Sequence, residues 1–460
     1  MNVPKAELRS DALVVFGATG DLAYKQIFPA LYAMARRGQL DMPVIGFARQ
    51  PWTVEQLRDH VRRSVEERVT VDHDVLDRLA AQLTYVVGDY QDPSSFEKLR
   101  AALESSERPL FYLAIPPAMF GPVVEGLARN GCTKNARVVV EKPFGRDLAS
   151  ASELNAILRR SLPEDAIFRI DHFLGKEAVQ NLLYFRFANA FLQPIWNRHY
   201  IDRIEITMAE NFDVKSRGRF YEEAGVVRDV VQNHLLQVLS LIAMEPPQSS
   251  SGASIDAAKT SLFASTRPLK PADVVLGQYR GYRATDGVDP NSNVATYVIA
   301  RLQIDNDRWA GVPIVIRTGK CLAQTITVVR VRLKTPEHTL FERGVPTHNE
   351  FRFQLSPEVM LALIARAKTT GEEMVGEDVD LVEVRHPIDE QTPYERLLGD
   401  ALDGDHTLFG SFDDVAAAWR IVEPILKLDN PVYEYDCGSW GPAEARQIDD
   451  VALEPAPKSS

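Results

Sequence analysis

An uninterrupted apolar run, Ala12 to Phe16, ends at Gly17-Ala18-Thr19-Gly20 and leads straight into a helical pattern from Leu22 to Arg37, stopped by Gly38. A strand with no polar face has to be buried on both sides, and a parallel sheet covered by helices does this. The alternation continues. Val44–Ala48 reads as a strand, Thr53–Arg68 as a helix, Leu83–Val87 as a strand and Ser94–Glu104 as a helix. Leu110–Ile115, a helix near Phe120–Arg129, and Val138–Glu141 follow. The first domain is therefore expected to be α/β, a doubly wound parallel sheet with helices on both faces.

Past Ile170 the rhythm changes. Asp171–Ala188 and Val226–Ala243 are helical candidates, whereas the β-branched runs Ile204–Met208, Val294–Ile304, Ile314–Ile316 and Thr325–Leu333 lack a helix between each pair. Such a pattern predicts an α+β domain on a large mixed, mainly antiparallel sheet. Glu245–Ser254 has the composition of a surface loop. The expected boundaries are 1–170 for the α/β domain, 171–450 for the α+β domain, and 451–460 for a frayed tail. No internal repeat is visible.

With 45% hydrophobic and 25% charged residues over 460 positions, the chain can bury a sizeable core in each domain. Lys+Arg 52 against Asp+Glu 64 leaves a net charge of −12, which disfavours capture of nucleic acid or an anionic membrane. Neither partner is expected, and an anionic ligand must meet a local basic pocket. Cys132, Cys321 and Cys437 are too widely spaced for a C-x-x-C pair or a cysteine zinc site. No metal is expected, and the compartment reads as reducing. The first residues carry no basic segment followed by an apolar stretch. The longest strongly apolar run, Leu235–Met244, is about half of the ~20 residues that a membrane-spanning helix requires. The expected location is cytoplasmic.

Backbone N–H groups along Gly17–Leu22 precede a helix, where unpaired amides and the helix dipole favour a pyrophosphate. The spacing is G-x-x-G-x-x-A rather than G-x-G-x-x-G, so on the residues alone a dinucleotide site and a plain glycine turn both stay open. The next strand ends Gly46-Phe47-Ala48-Arg49, a cation where NAD enzymes carry a carboxylate for the ribose 2′-hydroxyl; Arg49 suits the 2′-phosphate of NADP. A solvated arginine is the competing reading. No Tyr is followed four residues later by Lys, which excludes the proton-transfer pair of short-chain dehydrogenases.

Lys142, in Glu141-Lys142-Pro143-Phe144-Gly145, follows a strand at the end where open α/β sheets bind ligands, and Lys320 closes Arg317-Thr318-Gly319-Lys320 after another strand. In Arg169-Ile170-Asp171-His172-Phe173-Leu174-Gly175-Lys176-Glu177, His172 and Lys176 stand at i and i+4, on one face of the expected helix start. Such donors can grip a phosphate, and a solvated first turn is the competing reading. Arg228–Gln237 is strongly helical and embeds His234, which fits a satisfied core imidazole as well as a base working near neutrality.

Together, RIDHFLGKE with QNLLYFRFAN, and GATGDLAYKQIFPALY, FYLAIPPAMF, EKPFG, GVVRDVVQNHLLQ, IDNDRWAGVP and YERLLGDALDGDHTLF, resemble the glucose-6-phosphate dehydrogenase family from about Ala12 to Pro442. The resemblance implies a Rossmann-like first domain. It also implies oxidation of glucose 6-phosphate to 6-phosphogluconolactone, with hydride passing from C1 to NADP, as the first step of the oxidative pentose phosphate route. Ala23-Tyr24-Lys25-Gln26 carries fewer lysines than the family commonly shows, so NAD use is allowed as well. By the same resemblance His234 is the base and Asp171 its hydrogen-bond partner. His172 and Lys176 hold the phosphate, and Lys142, Glu210, Asp229, Lys320 and Gln354 contact sugar or phosphate. The coenzyme positions are Gly17, Thr19, Gly20, Asp21, Leu22, Arg49, Ile115, Pro116, Pro117 and Lys142, with Pro143 shaping the passage between coenzyme and sugar. Gln354 stands in Gln-Leu-Ser-Pro-Glu, where the family tends to Gln-Pro. Assembly as a homodimer or homotetramer through the second-domain sheet is implied too.

Overall fold

Strand β1 (Ala12–Phe16) is buried at every position and pairs in parallel with β2 (Val44–Ala48) on one side and β4 (Pro109–Leu113) on the other. In this computed structural model, which describes residues 9–104, 106–336, 348–385, 391–426 and 430–449, β3 (Leu83–Val87), β5 (Arg137–Glu141) and β6 (Ile167–Ile170) complete the sheet. Its order is β3-β2-β1-β4-β5-β6, and every pairing is parallel. Alternate residues of β1 feed two separate cores. Leu13 and Val15 pack with the helix Phe28–Arg36, while Val14 and Phe16 pack with the helix Phe120–Arg129. The strand period of two thus distributes one apolar run over both faces.

Capping explains where several helices begin. Thr53 accepts from the Gln56 amide while the Gln56 side chain accepts from the Thr53 N–H, so Val54–Glu66 starts on a capping box. Asp147 and Ser150 do the same for Leu148–Ser161.

The second sheet is mixed, with nine strands in the order β14-β13-β12-β11-β7-β10-β9-β8-β15. Its members are β7 (Ile201–Ala209), β8 (Val274–Tyr279), β9 (Tyr297–Leu302), β10 (Ile314–Gly319), β11 (Ile326–Leu333), β12 (Glu350–Ser356), β13 (Val359–Lys368), β14 (Gly376–Arg385) and β15 (Val432–Tyr435). Only β7 with β10 and β8 with β15 run parallel. The chain divides into two compact units: Met1–Glu177 with Pro247–Ala257 and Asp389–Ala416, and Ala178–Pro246 with Ala258–Ile388 and Ala417–Ser460.

Three local expectations are corrected. The segment 171–176 is a turn, and the helix begins at Glu177. The loop expected over Glu245–Ser254 gives way at Gly252 to the helix Gly252–Ser265. The helix expected over Val226–Ala243 is an α-helix only from Leu236, because Val227–Leu235 is wound as a π-helix. The tail 451–460 lies outside the described residues. Among the described residues no helix is long and apolar enough to cross a membrane.

Candidate active site

Because all strands of the first sheet are parallel, their carboxyl ends share one edge, and every candidate residue of that unit leaves from it. Arg49 follows β2, Gly17–Leu22 follows β1, Ile115–Pro117 follows β4, Lys142 follows β5, and Asp171–Lys176 follows β6. The strand order reverses between β1 and β4, which opens the crevice used by ligands of open α/β sheets. Glu141 is the register partner of Ile170, so Lys142 and Asp171 leave neighbouring strands side by side.

The β1 turn is shaped by exclusion of side chains. Gly17 has φ of +76°, and a Cβ there would lie 2.2 Å from the Ala114 carbonyl oxygen. Only glycine accepts both conditions. The Gly17 N–H donates to the Phe47 carbonyl at 2.8 Å and the Gly20 N–H to the Gly17 carbonyl at 2.8 Å, which fixes the loop. Thr19 Oγ1 donates to Gln50 Oε1 at 2.6 Å, Asp21 pairs with Lys25 at 2.6 Å, and Leu22 leads into a π turn at Ala23–Ile27. Arg49 is exposed, its guanidinium carbon 5.9 Å from the Tyr90 ring centre. A tight glycine cradle at a helix start with an exposed cation after the adjacent strand fits a dinucleotide carrying an extra phosphate.

At the end of β6, Asp171 is 5% exposed and uses Oδ1 to accept the Phe173 N–H at 2.9 Å, while its carbonyl accepts the Leu174 N–H at 3.0 Å. This side-chain acceptor competes with helix formation, which accounts for the turn. His172 and Lys176 therefore do not share a helix face. The His172 ring lies parallel to Tyr394, centres 6.3 Å apart, and the Lys176 ammonium sits 4.3 Å from the Phe173 ring centre.

A group that the sequence reading passes over lies behind Lys142. Glu141 is buried, and the Tyr112 hydroxyl donates to it at 2.5 Å. Tyr394 is its second side-chain hydrogen-bond partner. Burial pushes the Glu141 carboxyl up to about 7, against the pull of Tyr112, Tyr394 and Lys142 and with a smaller push from Asp171. A signal for this existed: a tyrosine in a strand buried on both faces needs a partner for its hydroxyl.

In the second unit, Ala209 and Gly319 are register partners on the parallel strands β7 and β10, so Glu210 and Lys320 leave the same edge and form an ion pair. Lys320 is 8% exposed. Its N–H donates to the Thr296 carbonyl at 3.0 Å, and Tyr435 donates to its carbonyl at 2.6 Å. The ammonium stands 5.5 Å from the Phe212 ring centre and 5.7 Å from that of Tyr221.

Asp229 and buried His234 both lie on the π-wound segment Val227–Leu235. Residues five apart are separated by about 140° on an α-helix, and the wider i→i+5 winding brings them toward one face. Periodicity in the sequence carries no mark of this winding. Gln354, on β12, is aligned with Val328, Thr207 and Arg317 across β11, β7 and β10. Three strand spacings, about 14 Å, therefore separate it from the strand that carries Lys320. Its amide donates to the Glu358 carbonyl at 3.2 Å.

Comparison with known proteins bears on this arrangement. Residues 14–181 match the family described as glucose-6-phosphate dehydrogenase, NAD binding domain, and residues 183–451 match its C-terminal domain. Glucose-6-phosphate 1-dehydrogenase 1 of Mycobacterium tuberculosis is 45% identical over 443 residues, covering 95% of this chain and 94% of the relative. The cytoplasmic glucose-6-phosphate 1-dehydrogenase 5 of Arabidopsis thaliana is 38% identical, over 97% of this chain and 92% of its own. The crystal structure of glucose-6-phosphate 1-dehydrogenase from Mycobacterium avium superposes with a TM-score of 0.92 at 43% identity, covering 98% of this chain and 99% of the other. A glucose-6-phosphate dehydrogenase in complex with glucose 6-phosphate superposes with 0.90 at 32% identity, covering 99% and 100%. The chain belongs to the glucose-6-phosphate dehydrogenase family of oxidoreductases.

Proposed function

We propose that this chain oxidises glucose 6-phosphate at C1 to 6-phosphogluconolactone, the first step of the oxidative pentose phosphate pathway, with NADP preferred over NAD. One observation carries the reading. Five strands of one parallel sheet end side by side, three bearing the glycine cradle, Arg49 and Ile115-Pro116-Pro117, and two bearing Lys142 and Asp171–Lys176. A nucleotide half and a sugar-phosphate half thus adjoin along one edge.

Gly17, Thr19, Gly20, Asp21, Leu22 and Ile115–Pro117 hold the dinucleotide, and Arg49 takes its 2′-phosphate. A bound nicotinamide would supply the acceptor for the hydride that leaves C1. His234, neutral beforehand, takes the proton of the C1 hydroxyl, and the Asp171 carboxylate favours the resulting imidazolium without receiving the proton. His172 and Lys176 bind the phosphate, far from the reacting carbon, and their binding energy orients C1. Lys142, Glu210, Asp229, Lys320 and Gln354 contact the sugar.

The enzyme works in the cytoplasm as a homodimer or homotetramer. Apolar Leu381, Val382 and Val384, exposed on the sheet-edge strand β14, support self-association. Sedimentation measurements test it, and a monomer at working concentration refutes it. The decisive assay is steady-state turnover with NADP and with NAD across phosphorylated and plain hexoses. The reading requires kcat/KM for glucose 6-phosphate to exceed that for glucose by orders of magnitude; equal values overturn it.

A further inference from the structure

Tyr221, on the helix Gly218–Val226, is 2% exposed, and its hydroxyl oxygen is buried with no hydrogen-bond partner. Buried phenols normally find a partner, so an orphaned hydroxyl calls for a cause. Burial holds the phenol far above its usual range, with Asp229, Tyr435, Glu210 and Tyr282 adding to the shift, so the group is a neutral donor.

Its neighbours are committed elsewhere. The Tyr282 hydroxyl donates to Glu222 at 2.9 Å, and Tyr435 donates to the Lys320 carbonyl at 2.6 Å. The Tyr221 ring lies edge-to-face with Tyr282, centres 6.2 Å apart, and beneath the Lys320 ammonium at 5.7 Å. Lys320 is itself engaged by Glu210. The carboxylates whose negative charge acts on Tyr221 are those of Glu210 and Asp229.

We propose that Tyr221 is a positioning residue for the sugar phosphate, its hydroxyl held in reserve as the donor that Glu210 or Asp229 takes up when Lys320 turns from its ion pair to the substrate. This rests on the reading of Lys320, Glu210 and Asp229 as substrate contacts. The free enzyme carries an unsatisfied donor, and binding satisfies it, so the hydroxyl contributes to affinity and not to the resting fold. In the free enzyme, a phenylalanine at this position removes the orphan and keeps the ring against Lys320.

The test is Tyr221→Phe, measured by calorimetric binding of glucose 6-phosphate, by melting with and without it, and by turnover. Affinity is expected to fall about tenfold and the ligand-induced rise in Tm to shrink. The Tm of the free protein should hold or increase, and kcat should stay within about threefold. Tyr221→Phe should also be non-additive with Glu210→Gln in binding. A merely structural tyrosine would instead lower the Tm of the free protein, and that result, or an unchanged Kd, overturns the proposal. Lys320→Ala separates the two levels: if it leaves Kd unchanged, the reading of the site fails, whereas if it weakens binding and Tyr221→Phe does not, only the role of Tyr221 fails.

Discussion

The hydroxyl of Tyr112 donates to the Glu141 carboxylate at 2.5 Å, binding the next-to-last residue of β4 to the last residue of β5, which precedes Lys142. Tyr394 bonds the same carboxyl and lies parallel to the ring of His172. The buried acid that precedes Lys142 thus bonds the side chain that lies beside His172.

That acid makes stability depend on pH. Glu141 is raised from 4.5 to about 7. A carboxyl raised in the folded state lends its stability in full below its unfolded value and loses it as pH rises through the folded one, here between about 4.5 and about 7. Glu141→Gln, neutral throughout, should raise Tm relative to the native protein more at about pH 8 than at about pH 5. A difference in Tm that is independent of pH would show that Glu141 does not titrate in this window.

His234→Asn should lower kcat by roughly 100- to 10,000-fold, the scale of a general base, while the Kd for glucose 6-phosphate measured calorimetrically stays within a few-fold. Near-normal kcat would assign the base elsewhere.

Lys176→Ala removes the charge-assisted phosphate contact proposed for this residue. The expected loss in kcat/KM for glucose 6-phosphate is about 10- to 100-fold, with little change for unphosphorylated glucose. An equal loss for both sugars would mean that Lys176 acts on folding or on the reacting carbon instead.

Arg49→Ala should penalise NADP by about tenfold or more in kcat/KM and leave NAD nearly unaffected, because only NADP carries the 2′-phosphate. Parallel effects on the two coenzymes would count against that contact.

Gly17→Ala places a Cβ 2.2 Å from the Ala114 carbonyl oxygen at a φ of +76°. Denaturant unfolding should show a loss of more than about 1 kcal/mol. Retained stability together with retained NADP affinity would contradict the excluded-side-chain account of the cradle.

Much of the first sheet was legible because its strands are short, largely apolar runs: Val44–Ala48, buried throughout, matches β2 and Leu83–Val87 matches the half-exposed edge strand β3 residue for residue, and Val138–Glu141 lies within β5. Beyond Ile170 the reading is thinner. β13 and β14 carry charged residues such as Arg366, Asp378 and Glu383 among the apolar ones, and their long-range antiparallel pairing leaves a weaker local trace than a continuous apolar run. The turn at 171–176 was missed because the Asp171 carboxylate captures a backbone N–H, a choice that helix propensity does not register.

Local sequence was enough for the glycine cradle, the cations at strand ends and the motifs that mark the family, since each depends on residues close together in the chain. Packing alone decided the ion pair of Glu210 with Lys320, the π winding under His234, the upward shift of Glu141 and the orphaned hydroxyl of Tyr221. Those features arise when segments distant in the chain exclude water from polar groups. The energy of a buried charge or donor is set by which neighbours then remain within reach.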